Sequence, residues 1–206
     1  MKSFKGIFIT GTDTDIGKTV VSAVLMLKFK GTYWKPIQTG RELGTDTEEI
    51  KRLTKLPEDH FLEEAYNLLY PLSPHLSAKR MGIQIDLNRI NLPKVRHYPV
   101  IVEGAGGLLV PLNDKDLMID LIKKLKLPVI LVASTRLGTI NHTLLSLYVL
   151  RKEKIDVLGV VLNGPKNKDN KESIENFGKV KVLAEIEPLS ELSYKTLSNI
   201  KVAIEN

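Results

Sequence analysis

A parallel β-sheet with α-helices on both of its faces is the fold class that the sequence predicts, on two observations. Short apolar runs of strand composition recur at Ile7 to Thr10, Thr32 to Lys35, Val100 to Val102, Val129 to Ala133, Val157 to Leu162 and Val180 to Leu183, mostly separated by helical patterns. That alternation builds a parallel sheet with helical crossovers. The first run also passes through Gly11-Thr12-Asp13-Thr14-Asp15-Ile16-Gly17 into Lys18-Thr19 at the head of a helical pattern, which is the order of a phosphate-binding loop.

The loop departs from the usual G-x-x-x-x-G-K-[ST] spacing, because Thr12 stands five residues before Gly17 and Gly11 one further back. Its context restores the reading. Val20, Val21, Val24, Leu25 and Leu27 give the following segment an apolar helical face, as the motif requires. Backbone N–H groups of the turn and the positive end of that helix would face a polyphosphate. Lys18 would reach its β/γ-oxygens and Thr19 would place a hydroxyl on Mg²⁺.

Ligands of such sheets gather at the carboxyl ends of the strands, so the residues after each strand are read in turn. The second strand leads into Lys35-Pro36-Ile37-Gln38-Thr39-Gly40 and Thr45-Asp46-Thr47. Lys35 is either surface decoration or an ammonium that stabilises charge on a transferring phosphoryl group or a carbamate. Asp46 is either the N-cap of the next helix or a second carboxylate near Mg²⁺. The long stretch from Pro36 to Tyr98, which includes Tyr70-Pro71-Leu72-Ser73-Pro74-His75, lacks a core strand and is expected to carry function.

The third strand ends at Val102-Glu103-Gly104-Ala105-Gly106-Gly107. A carboxylate there suits a hard cation. Gly104-Ala105-Gly106 is not a dinucleotide fingerprint, since no third glycine or helix follows; these glycines are read as letting backbone approach a ligand. Leu117, Leu121, Ile122 and Leu125 mark one helical stripe, and Leu144, Leu145, Tyr148 and Leu147 another. After the fourth strand, Ser134-Thr135-Arg136-Leu137-Gly138-Thr139-Ile140-Asn141-His142 opens a helix. Its N–H groups either bind an anion or are simply capped by Thr139. Asn163 after the fifth strand either pairs with a base edge or makes a turn. Asn167-Lys168-Asp169-Asn170 is not a guanine-reading N-K-x-D and reads as a charged loop.

Composition narrows the classes further. The 206 residues, 43% hydrophobic, suffice for one substantial core, and one domain spanning 1–206 is expected. The absence of cysteine excludes disulfides, thiolate metal sites and a cysteine nucleophile. No apolar run approaches the roughly 18 residues of a membrane span, and Met1-Lys2-Ser3-Phe4-Lys5 runs directly into the first strand, so neither a signal peptide nor a membrane association is expected and a cytoplasmic protein is. The net charge of +6 arises partly from Lys123-Lys124-Lys126, Arg151-Lys152-Lys154 and Lys166 to Lys171, where interspersed acids favour a solvated face over a nucleic-acid surface.

GTDTDIGKT, KPIQTG, EGAGGLLVPL, GTINH and GVVLN occur in this order, and with them the chain resembles the dethiobiotin synthetases, P-loop NTPases, nearly end to end. That resemblance implies a MgATP-dependent, homodimeric cyclo-ligase joining CO₂ to 7,8-diaminononanoate and closing a ureido ring, with release of ADP and phosphate. It implies nucleotide contacts from Asp13, Thr14, Asp15, Ile16, Gly17, Lys18, Thr19, Val20 and Asn163, the last reading adenine. Metal ligands fall on Thr19, Asp46 and Glu103, and the catalytic roles on Lys35, Lys18 and Thr14. Substrate contacts fall on Lys35, Thr39 and Gly106, and on Gly138, Thr139 and Asn141 of a neighbouring subunit for the substrate carboxylate. The family's G-E-I-P reads Ala184-Glu185-Ile186-Glu187-Pro188 here, which weakens the transfer of purine selectivity. The competing reading is a partitioning or assembly ATPase that switches protein partners with nucleotide state; KPIQTG and EGAGGLLVPL argue against it. A glutaminase-coupled synthase of similar nucleotide domain would need a cysteine nucleophile, which this chain lacks.

Overall fold

The computed structural model describes residues 5–204; Met1-Lys2-Ser3-Phe4, read above as the lead into the first strand, lie outside them. Strands β1 (Gly6–Gly11), β2 (Thr32–Trp34), β5 (Val100–Gly107), β6 (Val129–Ser134), β7 (Val157–Asn163) and β8 (Val182–Ile186) form one sheet in the order β2-β5-β1-β6-β7-β8. Every pairing in it is parallel. Two short strands, β3 (Ile37–Gln38) and β4 (Tyr66–Asn67), pair separately within the long connection between β2 and β5.

Successive strand residues face opposite sides of a sheet, and both sides here are apolar. Ile7 and Ile9 of β1, with Tyr33 and Ile101, pack against Val21, Val24 and Leu25 of α1 (Lys18–Phe29), Ile50 and Leu53 of α2 (Asp46–Thr54) and Leu197 of α7 (Tyr194–Ser198). Phe8, Trp34, Val100 and Val102 face Met118, Leu121 and Ile122 of α4 (Met118–Leu125). Leu131, Val160 and Leu162 meet Leu147 of α5 (Thr139–Lys152) and Ile174 of α6 (Lys168–Gly178). A sheet covered on both faces explains why its strands read as continuous apolar runs rather than alternating ones.

Several points differ from the sequence reading: Lys168-Asp169-Asn170, read as a charged loop, open α6 behind the N-cap Asn167. The β5 strand runs past Val102 to Gly107, because Glu103 and Gly107 still pair with Ile9 and Gly11 of β1 across an irregularity. The last strand covers 182–186 instead of 180–183, since Lys179 closes α6 with φ of 46° and Val180 lies in the turn beyond. Leu117 is the N-cap of α4 and precedes its stripe. On α5 the inward residues are Thr139, Thr143, Leu147 and Leu150, while Leu145 and Tyr148 are 56% and 66% exposed. The buried face of α5 contains two threonines, so hydrophobicity alone placed it about one residue out of phase.

Candidate active site

The loop after β1 crosses the carboxyl edge of the sheet and enters α1 at Gly17, which has φ of 92°. A side chain there would be strained, and its Cβ would fall 2.1 Å from the Asn163 Nδ2. Lys18, the first residue of α1, is buried and donates from Nζ to the Asp13 carbonyl at 2.9 Å. Burial, and then the nearby Lys35 ammonium, lower its pKa below the ordinary lysine value.

Lys35 follows β2 beside Glu103 of β5, and the two side chains emerge on one face because Trp34 pairs with Val102. The Lys35 Nζ lies 2.7 Å from Asp46 Oδ2 and 3.0 Å from Glu103 Oε1. Burial alone would depress its pKa, but Glu103 and Asp46 outweigh that and raise it. For Asp46, burial opposes ionisation, and the Lys35 ammonium together with the Lys35 and Thr19 hydrogen bonds pulls the carboxyl below its ordinary value. The chain therefore holds an ammonium between two carboxylates at the mouth of the phosphate loop.

Asp46 is the first residue of α2 and not its cap. Thr45 caps the helix in a reciprocal box with Glu48, which releases the Asp46 carboxylate to face Lys35 and Thr19. The Asp46 N–H donates to Gln38 Oε1 at 3.1 Å. Thr19 Oγ1 lies 2.9 Å from Asp46 Oδ1 and 3.0 Å from Glu103 Oε1. A hydroxyl has one proton, so it satisfies only one of these carboxylates at a time, and lone pairs of three hard oxygens converge. That donor set fits Mg²⁺.

Thr14, Asp15, Gly17, Lys18, Thr19, Lys35, Thr39, Asp46, Glu103 and Gly106 all line one cleft of about 880 Å³. Its far wall comes from the long connection between β2 and β5, through Gly40, Leu43, Pro71, Leu72 and Ser73, together with Val110. The Pro36–Tyr98 stretch thus supplies one wall of the cleft. Gly106, with φ of 66°, borders the cleft, whereas a Cβ on Gly104 would press on the Phe8 ring at 2.9 Å. A Cβ on Gly106 would in turn fall 2.7 Å from Val110 Cγ2, so both glycines meet the chain's own side chains.

Other expected site residues stand outside the cleft lining. Asp13 holds Lys18 through its carbonyl, and Val20 is half-buried beside Thr19. Asn163 donates from Nδ2 to the Ile16 carbonyl at 2.9 Å, bracing the loop from β7. Gly138, with φ of 93°, is the N-cap of α5 and has open space where a Cβ would project. Thr139 does not cap that helix; its hydroxyl donates back to the Ser134 carbonyl. Asn141 is exposed on the first turn.

Two contributors escaped the sequence reading. Gln38 orients the start of α2, and Tyr33, fully buried, donates from its hydroxyl to Glu103 Oε2 at 3.0 Å. Tyr33 stands two residues before Lys35, so period-2 alternation already puts both on one face. Burial, and then Glu103 and Asp46, push its phenol well above the usual value.

A second titratable group, Asp59, His60 and His97, lies at the opposite edge of the sheet. Its imidazoles stack with centroids 3.9 Å apart and planes 15° from parallel. Ring-nitrogen lone pairs lie in the ring planes, so these do not converge on one ion. His97 bonds Asp59 and His60 bonds the Gly31 carbonyl, clipping the 58–60 turn to the start of β2. Part of the basic surface is paired with acids, as in Lys123–Glu153, Lys166–Glu187 and Lys171–Glu185. Among the described residues no helix is long and apolar enough to cross a membrane.

The family described as an AAA domain matches residues 5–196. An ATP-dependent dethiobiotin synthetase of Paramagnetospirillum magneticum is 50% identical over 196 residues, covering 95% of this chain and 94% of that protein. A protein of the same name from Lawsonia intracellularis is 48% identical, covering 96% and 95%. Among solved structures, a ParA family ATPase from Chlorobium tepidum aligns over 95% of this chain and 97% of that one with a TM-score of 0.56 at 10% identity, a likeness of fold.

Proposed function

The chain belongs to the ATP-dependent dethiobiotin synthetase family, and we propose that it joins CO₂ to 7,8-diaminononanoate and closes the ureido ring of dethiobiotin, as one domain spanning 1–206, with the cleft beneath the phosphate loop as its active site. The observation that carries the assignment of the site is the Lys35 ammonium held between Asp46 and Glu103 beside Lys18 and Thr19. An amine of the substrate adds to CO₂ to give a carbamate, whose oxygen is a poor leaving group. Phosphorylation by ATP makes it a good one, and the second amine then attacks the carbonyl carbon and expels phosphate. No covalent intermediate with the protein is required, so the side chains position reactants and stabilise charge.

In this reading Lys18 and Thr14 contact the transferring phosphoryl group, and Lys35 offsets charge on that group and on the carbamate. Thr19, Asp46 and Glu103 would hold Mg²⁺, which would neutralise phosphate charge when bound with ATP. Asp13, Asp15, Ile16, Gly17 and Val20 shape the nucleotide loop. Asn163 braces that loop through its Nδ2, and its Oδ1 is the atom offered to adenine. Thr39 and Gly106 border the diamine.

Gly138, Thr139 and Asn141 do not line the cleft of their own chain, which supports their acting across a homodimer. The exposed apolar residues Leu137, Leu145 and Tyr148 at and along α5, beside that helix start, suit such an interface. A cytoplasmic location and the absence of nucleic-acid or membrane partners complete the proposal.

The test is a reaction containing the purified protein, ATP, Mg²⁺, bicarbonate and the diamine, followed by mass spectrometry. Dethiobiotin and ADP should appear in equal amounts, with no ATP turnover when the diamine is omitted. ATP turnover stimulated by DNA, membrane or protein without dethiobiotin would overturn it.

A further inference from the structure

Glu103 is 1% exposed and its two oxygens are held differently. Oε1 faces the cleft side of the cluster, 3.0 Å from both Lys35 Nζ and Thr19 Oγ1. Oε2 points the other way and accepts from the Tyr33 hydroxyl at 3.0 Å. The Tyr33 ring is fully buried in the core shared with Ile50 and Leu53 of α2, the helix that carries Asp46 at its first position. The hydroxyl so placed has no exposed surface and donates to the rear of the carboxylate.

We infer that Tyr33 is a positioning residue for this reaction: its hydroxyl pins Glu103 Oε2 from within the core so that Oε1 stays aimed, with Asp46 and Thr19, at the cation site. The inference rests on the metal reading proposed above for Glu103. Hydrogen-bond partners of metal ligands fix ligand orientation, and their loss typically weakens metal binding by about 10- to 100-fold. Without the hydroxyl, Oε2 has no donor among the described residues. The carboxylate is then free to rotate toward the cleft, which moves Oε1 from its aimed position. Because Lys35 and Thr19 still hold Oε1, the effect belongs at the lower end of that range, about tenfold.

Tyr33→Phe keeps the ring and deletes only the hydroxyl. Mn²⁺ binding to the ATP-loaded protein without diamine, read by electron paramagnetic resonance, should weaken about tenfold, and the Mg²⁺ concentration for half-maximal turnover should rise alongside it. Ile50→Val, which loosens the same core cluster without touching a carboxylate, should leave Mn²⁺ binding unchanged. Glu103→Gln serves as the reference for the metal reading itself. If Glu103→Gln weakens Mn²⁺ binding and Tyr33→Phe does not, Tyr33 is only a core residue and the inference fails while the metal site stands. If Ile50→Val weakens binding as much as Tyr33→Phe, the effect is general loosening, and the inference fails as well. If Glu103→Gln leaves Mn²⁺ binding unchanged, the metal reading falls and takes the role of Tyr33 with it.

Discussion

Replacing Lys35 by glutamine removes the only positive charge that touches both Asp46 and Glu103 among the described contacts, at 2.7 and 3.0 Å. Glu103 has almost no access to water, whereas the Asp46 side chain is 29% exposed and can be partly rehydrated. Breaking a buried ion pair by removing one partner costs about 3–5 kcal/mol; the partial exposure of Asp46 places this case near the lower end, about 3 kcal/mol. In a domain of this size each kcal/mol shifts the melting temperature by about 2–4 °C, so Lys35→Gln should melt about 6–12 °C below the parent in Mg²⁺-free buffer. Millimolar Mg²⁺ should return part of that loss, because a divalent cation supplies the charge the two carboxylates lack. Turnover at saturating MgATP should fall about 10²–10³-fold, the scale for losing one fixed electrostatic stabiliser, with a smaller change in ATP affinity. The measurements are calorimetric melting with and without Mg²⁺, and separate determination of kcat and ATP Kd. Melting within about 2 °C of the parent would refute the charge argument, at 2–4 °C per kcal/mol. A collapse in ATP affinity with kcat preserved would make Lys35 a nucleotide anchor.

Lys18→Ala should lower turnover by about 10²-fold or more in a folded protein, and near-normal steady-state rates would remove Lys18 from the phosphate site. Gly17→Ala combines a left-handed φ of 92° with a Cβ 2.1 Å from Asn163 Nδ2, so ATP binding by titration calorimetry should be largely lost; normal affinity would show that the loop relaxes freely. Asn163→Ala unties the Ile16 carbonyl and should weaken ATP about tenfold, the scale of 1.4 kcal/mol, with an unchanged Kd counting against the brace. Asn141→Asp should raise the KM for the diamine while leaving that for ATP, and mixing it with Lys18→Ala should restore some activity through one intact composite site; no rescue despite proven subunit exchange would mean that each site is built within one chain.

The positions that gather at the cleft were largely legible because each sits where local rules act. Lys18 and Thr19 open a helix after a glycine turn, and Lys35 and Glu103 lie at or near the cleft end of strands whose apolar runs are visible in the sequence. Sequence left Asp46 undecided between cap and ligand. The cap reading falls because Thr45, one residue earlier, forms the capping box with Glu48, a T-x-x-E pattern that was already readable. The brace between Asn163 and Ile16 spans 147 residues of chain, and no local pattern announces it. The α5 helix was misphased because its inward face includes Thr139 and Thr143 while Leu145 and Tyr148 face outward. That error has a physical meaning. Helix periodicity locates the face that is buried, whether the cover is the chain's own sheet or something else. On α5 the sheet-facing stripe is partly polar and the exposed outward stripe partly apolar, so the periodicity is ambiguous between the two faces. The same helix begins at Gly138 and Thr139, whose assigned role needs a second chain. The homodimer proposed above would cover the outward apolar stripe and give the helix start a substrate to bind, and the subunit-mixing experiment tests the second of these directly.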